Sequence, residues 1–326
     1  WQILARISGN GSATSLTTPT FDPAGATHLM FLIQGYSSSG EEFELRLHGD
    51  EGTNYTRRYN YEGIGDDRYV QSGWTKFRLG FSGNSGNGGA GIIFMTNRLD
   101  KEKYGIGTFL HGGAGSDSSN FTRREWVSKW ANTSAQMTNA TLLHGAAIHS
   151  ESEIVVLGYN PTNTTGTAAW AELANVTLGS DGDNLSSGAF TTKKYLWVQA
   201  KLDNTGEINS KVTFNNDTAG NYQFARSPDG GEWVTYDDAA GFYPLADAES
   251  HPNFVNMFII NTANKEKRAF CEAVGQGTAG AGNATVRGET VAKWDNTSNG
   301  ITEIDFDNTG SGSFASGSNI KVWGFD

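Results

Sequence analysis

The chain has 326 residues, room for one large domain or two of ordinary size, each burying its own core. Its 42 Gly, 6 Pro and abundance of Asn, Ser and Thr suit many short strands joined by tight turns rather than long helices. With 24 Lys and Arg against 35 Asp and Glu the formal charge is −11, which argues against a nucleic-acid partner, because such binding needs a cationic surface to displace counterions.

In chain order, the start at Trp1 without Met is expected where a few residues or a leader have been removed, and no charged-then-apolar signal pattern is visible. Trp1 to Ile7 reads as extended, and His28 to Gln34 as an apolar strand. Phe43, Leu45 and Leu47 then alternate with Glu44 and Arg46, the period-two pattern of a half-buried strand. Ile92 to Thr96 and a strand opening at Ile154 follow, each bounded by Gly, Asn or Asp clusters that read as turns. Ala168 to Val176, Tyr195 to Lys201, Val212 with Phe214, Asn256 to Ile260 and a closing strand at Ile320 repeat the series. The glycine-rich runs Gly86 to Gly91 and Gly275 to Gly282 lack the Lys and the strand-to-helix setting of a phosphate site, and read as loops. Cys271, the single cysteine, reads as a small core residue. The longest apolar runs, Leu29 to Ile33 and Ile154 to Leu157, fall far short of the roughly 20 residues needed to span a bilayer, so no membrane span is expected.

The series repeats because the sequence does. Val127-Ser128-Lys129-Trp130-Ala131-Asn132-Thr133-Ser134 matches Val291-Ala292-Lys293-Trp294-Asp295-Asn296-Thr297-Ser298 at an offset of 164 residues. Lys101-Glu102-Lys103 matches Lys265-Glu266-Lys267 at the same offset, as do Asn97 with Asn261, Gly113 with Gly277, Arg123 with Arg287 and Glu125 with Glu289. Upstream the offset drifts to 167, where Asp50, Asn54 and Tyr55 pair with Asp217, Asn221 and Tyr222, and to 169, where Trp1 pairs with Trp170. A period of this length suits duplication of a whole domain. The expected architecture is all-β: two tandem antiparallel β-sandwich domains of jelly-roll type, each with about seven to eight strands, over residues 1–160 and 169–326. A linker at 161–168 lies in the Pro/Gly/Thr stretch Asn160 to Thr167.

Phe214-Asn215-Asn216-Asp217-Thr218-Ala219-Gly220-Asn221-Tyr222, Lys293 to Ser298, Gly310-Ser311-Gly312-Ser313-Phe314, Ser316-Gly317-Ser318 and the terminal Val322-Trp323-Gly324 together resemble proteins common in marine phage and viral genomes. These are virion components, either capsid, head-decoration or tail-fibre subunits. The resemblance implies a non-enzymatic structural subunit that forms homo-oligomers, trimeric or higher, and meets other virion proteins. It works in the virion after assembly in the host cytoplasm, with a host-surface glycan as a further partner. It covers the second repeat throughout and the first through Asp50, Asn54 and Tyr55. It carries no catalytic, cofactor-binding or metal residue.

The residues leave other readings open. Asp50 and Asp217, with neighbouring Asn side chains, have the hard oxygen donors of a calcium site, but suit equally a turn closed by its own Asx side chain with Tyr55 or Tyr222 packed beneath. Trp74, Trp126, Trp130, Trp233 and Trp294 are either sugar-stacking platforms of a carbohydrate-binding module or adhesin, or core. The sequons at Asn54, Asn132 and Asn296 permit glycosylation without showing it. Glu303-Ile304-Asp305-Phe306-Asp307 resembles the acidic strand of jelly-roll endoglucanases such as laminarinases, with Glu303, Asp305 and Asp307 on one strand face. It departs from that pattern in ending on Asp307 rather than Glu, and Asn139, Thr141 and Leu143 stand at the matching positions of the first repeat, so a solvated strand face accounts for it without chemistry.

Overall fold

The computed structural model describes residues 1–23, 25–61, 69–82, 88–111, 122–160, 168–229, 231, 233–245, 252–275 and 285–326. The linker residues 161–167, the start of the first glycine-rich run at 86 and 87, all of the second run after Gly275, and Gly113 and Gly277 of the repeat lie outside the described residues. The chain divides into two compact units, one over Trp1–Ala114 and Thr122–Ala169, the other over Trp170–Asp326.

The first unit begins with β1 (Gln2–Ser8), β2 (Ser15–Thr17), β3 (His28–Gly35) and β4 (Glu42–Leu47). Next come β5 (Tyr55–Tyr61), β6 (Tyr69–Trp74), β7 (Phe77–Ser82) and β8 (Gly89–Thr96). It closes with β9 (Lys103–His111), β10 (Thr122–Trp130), β11 (Ala140–Leu143) and β12 (Glu153–Tyr159). The second unit opens with β13 (Ala171–Thr177), β14 (Asn184–Ser186), β15 (Tyr195–Leu202), β16 (Ser210–Phe214) and β17 (Tyr222–Pro228). It continues through β18 (Val234–Ala239), β19 (Asn253–Ile260), β20 (Lys267–Gly275), β21 (Val286–Trp294), β22 (Ile304–Asn308) and β23 (Asn319–Phe325).

In the first unit an eight-stranded antiparallel sheet runs β1-β12-β3-β8-β9-β10-β5-β6, and a four-stranded sheet runs β2-β11-β4-β7. The second unit repeats that order strand for strand as β13-β23-β15-β19-β20-β21-β17-β18, with a smaller sheet β14-β22-β16. The place of β7 is taken by Phe242, whose backbone exchanges both hydrogen bonds with Val212. Both units are therefore all-β and sandwich-like, as expected. Among the described residues twelve and eleven strands stand where seven to eight were expected, because three-residue strands such as β2 and β14 carry too few residues to show a period, and the Tyr- and Arg-rich β5 shows no apolar alternation.

Alternation does set β4, where Phe43, Leu45 and Leu47 are buried and Glu42, Glu44 and Arg46 half-buried. In the first unit those three side chains meet Leu29, Phe31 and Ile33 of the large sheet, Ile93 of β8, and Trp126 and Trp130 of β10. In the second unit, Val212 and Phe214 of β16 share a core with Leu196, Val198, Phe224, Trp294, Ile304 and Phe306. Cys271 lies in that second core, unbridged and buried, and burial pushes its thiol well above the ordinary range. The first glycine-rich run is not a loop to its end, because Gly89 and Gly91 lie inside β8. A Cβ on Gly91 would come within 2.3 Å of the Phe109 ring, and one on Gly107 of β9 within 2.8 Å of the same ring, so the stacked Phe109 and Trp126 side chains need both positions bare.

Candidate functional site

The residues that make the repeat recognisable converge on one end of each unit. After β4 the chain reverses through His48 and Gly49, both left-handed with φ 54° and 64°, and after β16 through Asn215 and Asn216, φ 54° and 57°. Two consecutive positive φ angles are the geometry of a tight hairpin turn, which Asn and Gly adopt at low cost. Asp50 then accepts from Gly52 N at 2.8 Å, Asn54 Nδ2 at 2.9 Å and Trp130 Nε1 at 2.7 Å. Asp217 accepts from Ala219 N at 3.0 Å, Asn221 Nδ2 at 2.8 Å and Trp294 Nε1 at 2.8 Å. Beneath each turn a buried tyrosine closes the structure: the Tyr55 hydroxyl accepts from Leu47 N at 3.0 Å, and that of Tyr222 from Phe214 N at 2.7 Å. Burial alone would raise both aspartates, but the side-chain and backbone donors outweigh it and hold them below the usual carboxylate range. Each carboxylate is committed to N–H donors, and among the described residues no group of three or more His, Cys, Asp or Glu is placed to hold a metal ion.

The indole donor is the part of this latch that the turn motif does not announce, since Trp130 and Trp294 arrive from 80 and 77 residues away. The Lys-Glu-Lys motif completes it. Lys103, buried over the Trp130 ring, donates from Nζ to Asn132 O at 2.7 Å and Ala135 O at 2.5 Å, and Lys267 donates likewise to Asn296 O at 2.6 Å and Lys265 O at 2.8 Å. Asn97 and Asn261 bridge to the backbone of Met137 and Ile301 in the same manner. These contacts hold turns and strand ends together within each unit. Trp126, Trp130 and Trp294 are core, while Trp74 and Trp233 are half-buried.

The acidic strand differs from its expected solvated face. Asp305 is only 1% exposed, and burial, with the charges of Glu303 and Asp307, pushes its carboxyl upward. It faces Ser186 in register, where the first unit pairs Thr141 with Thr17 through a 3.0 Å hydroxyl contact. Glu303 accepts from Ser186 Oγ at 2.7 Å and Asn216 Nδ2 at 2.9 Å, and Asp307 from Asn184 Nδ2 at 2.9 Å. Its neighbours thus make this cluster a seam between short strands, and it borders neither of the two cavities that follow.

The feature without an internal role is the outer face of the first unit's large sheet. A row of side chains crosses it in register: Met30, Phe94, Ile106, Val127, Arg58, Val70. Met30 is buried, but Ile106 is 59% exposed, Val127 54% and Val70 57%. Tyr104 and Tyr159 are exposed beside them, and Trp1 packs against Phe94 and Tyr159 with ring centroids 6.4 and 5.8 Å apart. The result is a groove of about 870 Å³ lined, among the described residues, by the exposed Arg58, the half-exposed Lys129, His28 and the buried Arg57, with no carboxylate. The local cause is visible in β9, which turns Gly105 and Gly107 to the core and Tyr104 and Ile106 outward, inverting the usual arrangement of large residues inside.

In the second unit the same row is Trp197, Phe258, Phe270 and Val291. Trp197 stacks on Phe258 at 5.5 Å, and Phe258, Phe270 and Val291 are all buried. The half-exposed Glu102–Lys129 pair, 3.1 Å apart, becomes a buried Glu266–Lys293 pair at 3.3 Å. Burial raises the Glu266 carboxyl and lowers the Lys293 ammonium, each opposed by its partner's charge. A smaller pocket of about 280 Å³ lies between Lys211, Arg226, Tyr236 and Tyr243. Met30 lies in the apolar run Leu29 to Ile33, which has no polar face to give to water, but the other members of the row come from separate strands and no one stretch of sequence brings them together.

No protein-family model and no curated protein matches the sequence. Solved structures align over most of the chain at slight similarity. Domains LG4-5 of the mouse laminin alpha1 chain are 10% identical, over 99% of this chain and 90% of that one, with a TM-score of 0.19. Neisserial surface protein A is 5% identical over 85% and 96%, with a TM-score of 0.15. The Yersinia pestis attachment invasion locus protein Ail, in complex with the heparin analogue sucrose octasulfate, is 4% identical over 82% and 97%, at 0.13. Similarity this slight carries no conclusion about what the chain does.

Proposed function

We propose that this chain is a non-enzymatic structural component of a virus or phage particle, a capsid, capsid-surface or tail-fibre subunit that assembles with copies of itself and with other virion proteins. The observation that carries the reading is the open apolar row on the first unit. The solvated face of an antiparallel sheet is ordinarily polar, and a contiguous exposed apolar patch is the mark of a surface built to be covered. The turn and strand-end motifs, through the marine phage and viral proteins they resemble, supply the particle as the setting. Two units with one strand order are read as a duplicated jelly-roll domain, a construction that places near-equivalent surfaces in a single subunit. The test is the mass and symmetry of the purified protein, by light scattering and electron microscopy. A trimer, hexamer, shell or fibre is expected, and a monomer at all concentrations refutes the proposal.

A second reading, a carbohydrate-binding module or adhesin, draws on Trp1, Tyr104 and Tyr159, whose rings border the same groove. Binding of an oligosaccharide that quenches Trp1 fluorescence and is lost in Tyr104→Ala would favour it.

A further inference from the structure

We infer that the open face of the first unit's large sheet is the socket for the acidic second unit of another copy, so that copies join head to tail. This rests on the chain being an assembling subunit and adds which surface meets which. The first ground is the contrast between the units: Phe258, Phe270 and Val291 are buried, whereas Ile106 and Val127 stand open at the positions of Phe270 and Val291. The row is of a kind that one unit keeps out of water and the other leaves wet.

The second ground is charge. Among the described residues the groove offers water the exposed Arg58, the half-exposed Lys129, which pairs with Glu102 at 3.1 Å, and His28, with Arg57 buried beneath and no carboxylate in the lining, in a chain of net charge −11. That charge is unevenly divided: residues 1–169 carry 13 Lys and Arg against 15 Asp and Glu, net −2, and residues 170–326 carry 11 against 20, net −9. Two first units meeting face to face would set the exposed Arg58 against its own counterpart, whereas a second unit brings the opposite sign to the rim. A contact between unlike surfaces of identical chains is heterologous, closing into a ring or extending as a fibre according to the rotation between copies.

The test uses the full chain in sedimentation velocity at low and high salt, with Val127→Glu, Ile106→Glu and Arg58→Glu. All three side chains are exposed, so each variant should keep the wild-type circular dichroism and unfolding midpoint. Wild type is expected to associate, with Val127→Glu and Ile106→Glu each weakening association by about thirtyfold or more. Arg58→Glu should weaken it chiefly at low salt. Val127→Glu should still bind wild type through its unaltered second unit and terminate growth, giving shorter assemblies on mixing. If wild type associates but neither glutamate variant changes its mass, the socket is elsewhere while the subunit reading stands. Should Val127→Glu lose all binding to wild type, the contact is face to face and the head-to-tail inference falls. A wild-type monomer at every concentration overturns both.

Discussion

Replacing Asp217 by Asn tests whether the turn latch is a structural device or a cation site. The carboxylate receives three donors, from Ala219 N, Asn221 Nδ2 and Trp294 Nε1, at 2.8 to 3.0 Å. An amide offers one acceptor oxygen and turns an NH₂ toward at least one of those donors, leaving N–H groups opposed. A hydrogen bond to a charged group contributes about 1.5–3 kcal/mol, and Asp217 is partly open to water, so a loss of about 2 kcal/mol is expected. With a urea m value of about 2 kcal/mol/M, the unfolding midpoint should fall by about 1 M. Trp294→Phe should cost a similar amount, and the double variant less than the sum, because both remove one contact. The sign with pH follows from the lowered carboxyl: its stabilisation is complete above the unfolded value near 3.9 and is lost as pH falls through the lower folded value. The acid limb of wild-type stability should therefore be shallower in Asp217→Asn, and again in Asp50→Asn. Calcium or a chelator should leave the wild-type midpoint in place. A midpoint unchanged in Asp217→Asn, or a calcium-dependent rise that this substitution abolishes, refutes the latch.

Three further outcomes are expected. Gly91→Ala, which drives a methyl into the Phe109 ring, should destabilise the first unit by about 1–3 kcal/mol by denaturant titration. Lys293→Met removes the cation paired with Glu266 and leaves the buried Arg268 beside it, and should cost about 1–3 kcal/mol, whereas Lys129→Met, at the same position of the first unit and half-exposed, should leave the midpoint unmoved. Lys103→Met leaves the Asn132 and Ala135 carbonyls without their donor, and should lower the midpoint by the equivalent of about 1–3 kcal/mol.

The fold was legible where side chains of one strand divide cleanly between water and core. Phe43, Leu45 and Leu47 specify β4 and its inward face, and the repeated offset brings Asp50 and Asp217 to equivalent turns. Burial of Trp130 and Trp294 was one of two readings, and the Asp–indole hydrogen bond settles it in favour of the core. Legibility failed where local pattern and tertiary position disagree. Glu303, Asp305 and Asp307 alternate like a wetted face, yet Asp305 is buried beside Ser186. In β9 the small residues point inward because Phe109 and Trp126 already fill the core, so the exposed Tyr104 and Ile106 look like a buried stripe until the strand's partners are known. No window of sequence holds that information, since Phe94, Ile106, Val127 and Val70 come from four strands.

The two units share one set of turn and strand-end hydrogen bonds and differ most on the outer face of the large sheet. The shared Asp50 and Asp217 and the shared Lys103 and Lys267 are engaged in hydrogen bonds within each unit. The outer sheet face differs in residue at Tyr104 against Arg268 and Ile106 against Phe270, and in exposure alone at the shared Val127 and Val291 and the shared, half-exposed Lys129 and buried Lys293, with a charge of −2 against −9 for the units. Selection for folding alone would let the outer faces drift toward polarity in both units, because an exposed Ile or Val adds aggregation risk without adding core. An apolar face retained in the unit that leaves it open, and framed by the charge opposite to that of the other unit, is the arrangement expected when the two units have divided the two halves of one contact between them.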